Sequence, residues 1–455
     1  MNRVLCDVNG PLPGPTLVGL GGMHGNEPAG ILALEAVGAS LEEEGLLRGR
    51  FLGLAGNLPA LEAGVRFVDR DLNRIWDAEG DDETSESVQR EELRRELRRI
   101  RDEAEGPVHL VDLHTTSGDG PPFTVLGDTL ANRAMALAIP VPMVLGLADA
   151  LPGTLIDARD AAGLASIAFE AGQHEDALSV EHSQDALWLL LGWLGMIPKR
   201  AARTRESRRR LASATRGFPG AVRLVHRHAL GSTSEFRMKS GLRSFETIRR
   251  GQVLAEEDGG EVRAPASGHI LLPLYQTSGD DGFFVGRPIG QSWLRVSEAL
   301  RRRRVERWLR FLPGILPEAD PGPGGAAAFR VHPLIRRVFF PSLFRLLGYR
   351  ATPLPDGRYL LVRRFEPEEV ELRPLEAEAS LREAETHHLE AEASPREAET
   401  HHLEAESRSK EPENHAPGDD SLPRRGEVLP PEAESGGGEG LSSVPPTSKR
   451  AGRDA

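Results

Sequence analysis

The chain has 455 residues, a formal net charge of −13 and one cysteine, Cys6. A single cysteine excludes an intrachain disulfide framework and fits a reducing compartment. Residues 371–455 carry 20 acidic and 10 basic side chains, hence −10 of the charge. Residues 1–370 are therefore near neutral and offer no basic field for nucleic acid. The length allows two or three domains. Met1–Asp7 has no apolar leader character, and no apolar run is long enough to span a bilayer, so a soluble cytoplasmic protein is expected.

In chain order, Thr16-Leu17-Val18-Gly19-Leu20 reads as a buried strand running into Gly21-Gly22-Met23-His24-Gly25-Asn26-Glu27. Pro28 then opens a helix with Ile31, Leu32, Leu34 and Val37 at helical spacing. His24 and Glu27 thus share a strand-to-helix turn, where an imidazole and a carboxylate can reach one cation. The plainer alternative is a surface His beside a helix-start Glu that favours the helix dipole.

Residues 48–56 read as a second strand and Asn57–Ala60 as a turn. Arg66-Phe67-Val68-Asp69-Arg70-Asp71-Leu72-Asn73-Arg74 is a polar stretch with two apolar anchors. Arg66, Asn73 and Arg74 could present donors to a carboxylate. By itself the stretch reads equally as a solvated loop with internal Arg–Asp pairs. Leu93, Leu97 and Ile100 mark the apolar stripe of a charged surface helix over residues 78–105.

Val108–His114 is the next strand, with His114 at its carboxyl end and Asp112 on the same side, placed to orient an imidazole. His109, mid-strand, reads as a structural histidine. A helix is expected around Leu130–Ala138, a strand over Leu164–Glu170, and an apolar helix over residues 180–196. Strands alternating with helices imply an α/β fold, a mostly parallel mixed sheet flanked by helices. Ligands of such sheets bind beyond the carboxyl ends of the strands. His24, Glu27, His114 and Glu170 all fall at those ends, which argues for one site.

Ala201–Arg210 reads as a basic linker, and residues 221–296 as short strands broken by Gly and Pro, a smaller all-β second domain. Val262–Leu271 is similar to barrel-sandwich modules that carry biotin or lipoate, but it lacks their lysine tip, so no carrier role is expected. In residues 297–370 the run Arg301–Arg304, a basic and apolar stretch and a hairpin around Pro355-Asp356-Gly357 suggest a packed appendage in preference to an anionic-lipid contact. Leu375–His388 is repeated as Leu389–His402 within an acidic tail whose composition predicts disorder. The expected division is 1–200, 214–296, 297–370 and 371–455.

His24-Gly-Asn-Glu27, Asp71-Leu-Asn73-Arg74, Asp112-Leu-His114 and the strand ending in Glu170-Ala-Gly stand in an order that resembles the succinylglutamate desuccinylase/aspartoacylase family. This is a branch of the zinc carboxypeptidase-like fold, and the resemblance covers about residues 14–296. It implies one zinc per chain on His24, Glu27 and His114, with Glu170 as general base. It also implies that Arg66 polarises the scissile carbonyl and that Asn73 and Arg74 hold a substrate carboxylate. Three protein ligands leave a position for water, and a nearby carboxylate can take its proton. Arg159 is the candidate for a second substrate carboxylate; the family's second-domain tyrosine has no matched position, Tyr275 being nearby. The expected activity is zinc-dependent hydrolysis of the amide of an N-acyl amino acid or similar small carboxylate. The alternatives are a metallocarboxypeptidase acting on short peptides and a non-catalytic zinc- or ligand-binding protein.

Overall fold

The computed structural model describes residues 1–78, 83–151, 153–158, 164–198, 201–311, 315–317, 328–331, 342–354 and 358–363. The acidic tail with its repeat, Arg159, and the Pro355–Gly357 turn lie outside them.

The first half of the chain builds strands and helices in near alternation: β1 (Val4–Asn9), β2 (Thr16–Gly21), α1 (Ala29–Glu44), β3 (Arg50–Ala55), α2 (Leu58–Ala63), α3 (Ser85–Glu103), β4 (Val108–Thr116) and β5 (Phe123–Leu126). Next come α4 (Leu130–Leu137), β6 (Met143–Leu145), α5 (Leu147–Ala150), β7 (Ala165–Gln173), α6 (Leu178–Trp193) and α7 (Ala202–Ala214). The strands β8 (Ala221–Ala229), β9 (Phe236–Met238), β10 (Thr247–Ile248), β11 (Val253–Glu257), β12 (Gly260–Arg263), β13 (Gly268–Leu271) and β14 (Asp281–Pro288) follow, and α8 (Gln291–Arg302) closes the series.

One eleven-stranded mixed sheet runs β1-β3-β2-β4-β7-β5-β6-β8-β14-β13-β10. Its centre is parallel: β2 pairs with β3 and β4, and β4 with β7. These strands are buried on both faces, so they read as continuous apolar runs rather than alternating ones. Leu34, Val37 and Leu41 of α1 and Leu187 and Leu190 of α6 share a cluster with Leu17 on one face. Leu93, Leu97 and Ile100 of α3 share a cluster with Val18, Leu20 and Leu110 on the other. Each such side chain, taken fully from water, contributes about 1.5–3 kcal/mol. The expected α/β architecture with a mixed sheet and helices on both faces is present, accompanied by a separate antiparallel sheet, β12-β11-β9.

The β-rich segment does not stand apart from the main sheet. β8 pairs in parallel with β6, and β14, β13 and β10 extend the sheet from there. It also brings its β13–β14 connection against the carboxyl end of the parallel strands, which matters for the site.

Four local readings are corrected. Asn57–Ala60 is not a plain turn but the start of α2, which Asn57 caps by accepting from Ala60 N, with proline in the first turn. The basic stretch 201–210 is not a linker: it lies in α7, because Thr204, Ser207 and Leu211 give it a buried face and Arg210 pairs with buried Asp185. Residues 248–255 and 262–271 each split into two strands, β10 and β11, then β12 and β13. Gly251, at φ 85°, turns the chain in the first of them.

After α8, strands at Ile315–Pro317, Ala328–Val331, Tyr349–Pro353 and Tyr359–Arg363 form a third antiparallel sheet with its own apolar cluster, including Phe329, Phe344 and Tyr349. Buried Arg301 joins this appendage to the rest through Asp128 at 2.9 Å, and the guanidinium groups of Arg133 and Arg223 lie over the Trp293 ring, 5.5 and 4.0 Å from its centroid. No helix among the described residues is long and apolar enough to cross a membrane.

Candidate metal centre and active site

The glycine turn after β2 is shaped by its neighbours. Gly22 adopts φ 69°, a left-handed conformation, and a Cβ on Gly25 would lie 2.0 Å from the Ala60 carbonyl carbon. The turn therefore presses directly on α2 and holds His24 and Glu27 inward, at 4% and 2% exposure. From the adjacent strand, Leu20 pairs with Asp112, placing His114 just beyond the same edge. His114 in turn is registered against Glu170 on β7, and Asp112 against Ala168. Period-two alternation puts Asp112, His114, Ala168 and Glu170 on one face.

Glu27 sits between the two imidazoles. Its Oε1 is 2.8 Å from His24 Nδ1 and its Oε2 is 3.0 Å from His114 Nδ1. The far nitrogens are anchored by carboxylates: His24 Nε2 to Asp71 Oδ1 at 3.0 Å, and His114 Nε2 to Asp112 Oδ2 at 2.9 Å. An imidazole that donates Nε2–H to a carboxylate keeps its Nδ1 lone pair for a metal. One donor atom each from His24, Glu27 and His114 lies within 4.8 Å of the others.

The charges argue that this cluster suits a cation. Glu27, Asp71, Asp112 and Glu170 are all buried or nearly so, against Arg66 and two histidines. Burial pushes the Glu27 carboxyl up, but His24 and His114 overcome this and hold it well below the usual range. Asp71 is likewise held low against burial by His24 and Arg66. His114 goes the other way: burial opposes its charged form, yet Asp112 and Glu27 raise it well above an ordinary histidine. Each imidazole faces carboxylate acceptors at both nitrogens, which leaves the cluster with a deficit of positive groups. A divalent ion on His24, Glu27 and His114 satisfies the same deficit.

Glu170 differs from the other carboxyls. Its Oε2 is buried without a hydrogen-bond partner. Burial pushes its pKa up to about 7, with Glu27 adding to the rise and His114 opposing it. It lines the same cleft as the three candidate ligands.

Arg66 donates through Nη2 to Asp71 Oδ2 at 2.9 Å, with Nη1 3.7 Å from Glu27 Oε1. Its Nε is buried and unpartnered. Asn73 accepts from Leu155 N at 2.9 Å, and its amide nitrogen lies 3.4 Å from His114 Nε2. Arg74 reaches toward the β-rich segment, 3.9 Å from Asp280 and 3.7 Å from Asp281. Its Nη1 donates to Asn73 O at 2.9 Å, while its Nε is buried without a hydrogen-bond partner. Leu72, Ile75 and Trp76, all in the core, fix the backbone beneath this stretch. Thus the polar stretch is an anchored wall of the cleft rather than a solvated loop.

The seven residues given metal, base, carbonyl or carboxylate roles, His24, Glu27, Arg66, Asn73, Arg74, His114 and Glu170, line one cleft of about 930 Å³, part of it open to solvent. Sequence reasoning missed Asp71 as the partner of His24, and Asp280, Asp281, His174 and Gln276 as cleft residues. Asp71 stands in a motif already marked, but its partner is 47 residues away. Tyr275 is not a cleft residue: its hydroxyl bonds Lys239 O, Leu242 O and Leu242 N at 2.7–3.0 Å, tying the β-rich segment together. His109 is buried mid-strand and packs edge-on against Trp193.

Residues 13–184 match the model of the succinylglutamate desuccinylase/aspartoacylase catalytic domain, a family of deacylase-type hydrolases. The resemblance carried by the four motifs is thus shown over that segment. Among solved structures, the chain is similar to the succinylglutamate desuccinylase/aspartoacylase of Rhodobacter sphaeroides (20% identity, 63% of this chain and 88% of that one, TM-score 0.48). It is also similar to the product-bound ectoine utilization protein EutE (DoeB) of Ruegeria pomeroyi (21% identity, 61% and 87%, TM-score 0.47). An aspartoacylase family protein of Mesorhizobium loti is a third (17% identity, 62% and 88%, TM-score 0.45).

Proposed function

We propose, taking the match over residues 13–184 as premise, that this chain is a zinc-dependent hydrolase cleaving the amide of an N-acyl amino acid or related small carboxylate. The observation that carries the reading is the unpartnered, buried Glu170 carboxyl beside a His–Glu–His cluster whose histidines are each oriented by an aspartate. A metallocarboxypeptidase would need the same metal and base. A pure binding protein would not need an unpartnered carboxyl with its pKa drawn to about 7.

His24, Glu27 and His114 would hold the zinc. Bound there, it supplies a Lewis acid and makes water easier to deprotonate. Glu170 accepts a proton from the water whose oxygen bonds to the amide carbon, and passes it to the amide nitrogen as the C–N bond breaks. A carboxyl poised near neutrality can do both. Arg66, fixed by Asp71, donates to the amide oxygen as negative charge develops on it. Arg74 and Asn73 hold the substrate carboxylate, which competes favourably with Asp280 and Asp281 because those pairs are long. The products are a carboxylate and an amine. Cys6 is free and buried, in keeping with a reducing, cytoplasmic setting.

The experiment is a panel of N-acyl amino acids and dipeptides incubated with zinc-loaded protein. Release of amine from the N-acyl amino acids, abolished by chelation, is expected. Cleavage of the dipeptides alone would favour the carboxypeptidase, and no cleavage of either the binding protein.

A further inference from the structure

The cleft has two walls of different chemistry. One is polar and carries Arg66 and Arg74, together with the candidate metal ligands. The other is formed mainly by Val125, Leu147, Leu151, Ile156, Ala168 and Phe284, with the unpartnered hydroxyl of Thr154 as its polar member. The six apolar side chains belong to one cluster, and all but Leu151 are at most 9% exposed, yet they border open space instead of packing it shut.

Position follows from the sheet. Ala168 lies two residues before Glu170 on β7 and faces the same way. Val125 on β5 is registered against Ala168, and Phe123 against Glu170. The apolar wall therefore begins directly beside the Glu170 carboxyl, on the side away from β4 and its histidine.

Apolar side chains facing a void lose the contacts that a filled interior would give them, and such a surface holds water poorly. An uncharged hydrocarbon group entering it recovers those contacts. A carboxylate entering it would give up its hydration beside Glu170. Among the described residues lining the cleft, the cationic side chains Arg66 and Arg74 lie beside Asp71 and beside Asp280 and Asp281.

We propose that this chamber seats a short aliphatic group flanking the scissile amide, so that the preferred substrate is an N-acyl amino acid with a single carboxylate rather than a dicarboxylic one. The inference rests on the hydrolase reading above. The aliphatic group can come from the acyl chain or from the amino-acid side chain, and the experiment separates the two.

Full-length zinc-loaded protein is given two series. In one, glycine carries acetyl, butyryl or hexanoyl; in the other, acetyl is carried by glycine, norvaline or leucine. N-acetylaspartate and N-succinylglutamate serve as references. In one series kcat/KM should rise about fourfold per added methylene, the scale of burying one such group. The best monocarboxylic substrate should exceed both references at least about tenfold, the lower end of pocket discrimination. Flat series, or a dicarboxylic substrate at the top, overturn the proposal.

Leu151→Arg, at a partly exposed position, should lower the aliphatic substrates and raise the references. Ile156→Ala should shift the optimum to a longer chain. A melting curve confirms that each variant is folded. Thermal stabilisation of the unaltered protein by butyrate, hexanoate and succinate supplies a readout independent of turnover. If no N-acyl amino acid is cleaved but hexanoate stabilises more than succinate, the hydrolase reading fails and the chamber assignment stands. If succinate stabilises as much or more, the assignment itself is wrong.

Discussion

His24 Nε2 lies 3.0 Å from Asp71 Oδ1, and this contact turns the other ring nitrogen toward Glu27. Asp112 does the same for His114. The cluster is therefore built in pairs, His24 held by a carboxylate 47 residues away and His114 by one two residues back on its own strand. Replacing either carboxylate with an amide keeps the shape but weakens control of the tautomer. Asp71→Asn and Asp112→Asn should each raise the zinc dissociation constant about 10–100-fold. Competition with a chromophoric chelator measures this. Unchanged affinity in both variants would mean that the histidines are not the ligands.

Much of this cluster was legible because a parallel sheet forces it. Once Thr16–Gly21, Val108–Thr116 and Ala165–Gln173 are strands of one sheet, His24, His114 and Glu170 meet at its carboxyl edge. Asp71 was not legible as an orienter, since its motif does not name its partner; the buried Leu72 and Trp76 and its bonds to Arg66 and Asn73 N place it against His24, 47 residues away. Asp280 and Asp281 sit in a stretch that reads as an ordinary Gly-Asp turn, and the continued sheet, β6 to β8 to β14, carries them to the cleft. The apolar chamber depends on β5 entering antiparallel beside β7, a crossover that spacing does not reveal.

Glu86, buried at the start of α3, organises the loop that carries Arg66 and Asp71. It accepts from Asn57 Nδ2 at 3.0 Å and from the backbone N–H groups of Val68, Asp69 and Arg70 at 2.7–3.1 Å. Glu86→Ala would leave those donors without their acceptor. At roughly 1–3 kcal/mol per buried unsatisfied group, partly relieved by water, a loss of about 3 kcal/mol is expected. Urea unfolding monitored by circular dichroism reads it, and a change below about 1 kcal/mol would remove Glu86 from this role.

His109 provides a pH signature of folding. Burial pushes its pKa down to about 4 from an ordinary value of 6.5. The unfolded chain thus binds this proton between pH 6.5 and 4 while the folded chain does not. The contribution of His109 to stability falls as pH drops through that window, by about 3 kcal/mol in all, and is constant below it. His109→Leu should flatten that part of the stability curve by a comparable amount. An unchanged slope would show that His109 titrates alike in both states.

The pH dependence of turnover should report Glu170. As a base it must be deprotonated, so kcat/KM should rise with pH and level off above its pKa. That pKa is about 7 without a metal, and a bound cation favours the carboxylate, so the acid limb should lie at or below that value. A rate that climbs as the solution is acidified through this range would contradict a basic role.

Glu170→Gln addresses the mechanism most directly. The amide keeps the shape and cannot accept the proton. Zinc content and turnover are measured on the same preparation, with His24→Ala reporting metal held elsewhere, including the tail histidines His387, His388, His401 and His402. The expected result is near-full zinc with turnover lower by at least about a hundredfold, the lower end of general-base contributions. Loss of zinc would make Glu170 a ligand, and full zinc with full turnover would place the base elsewhere; either result contradicts the mechanism.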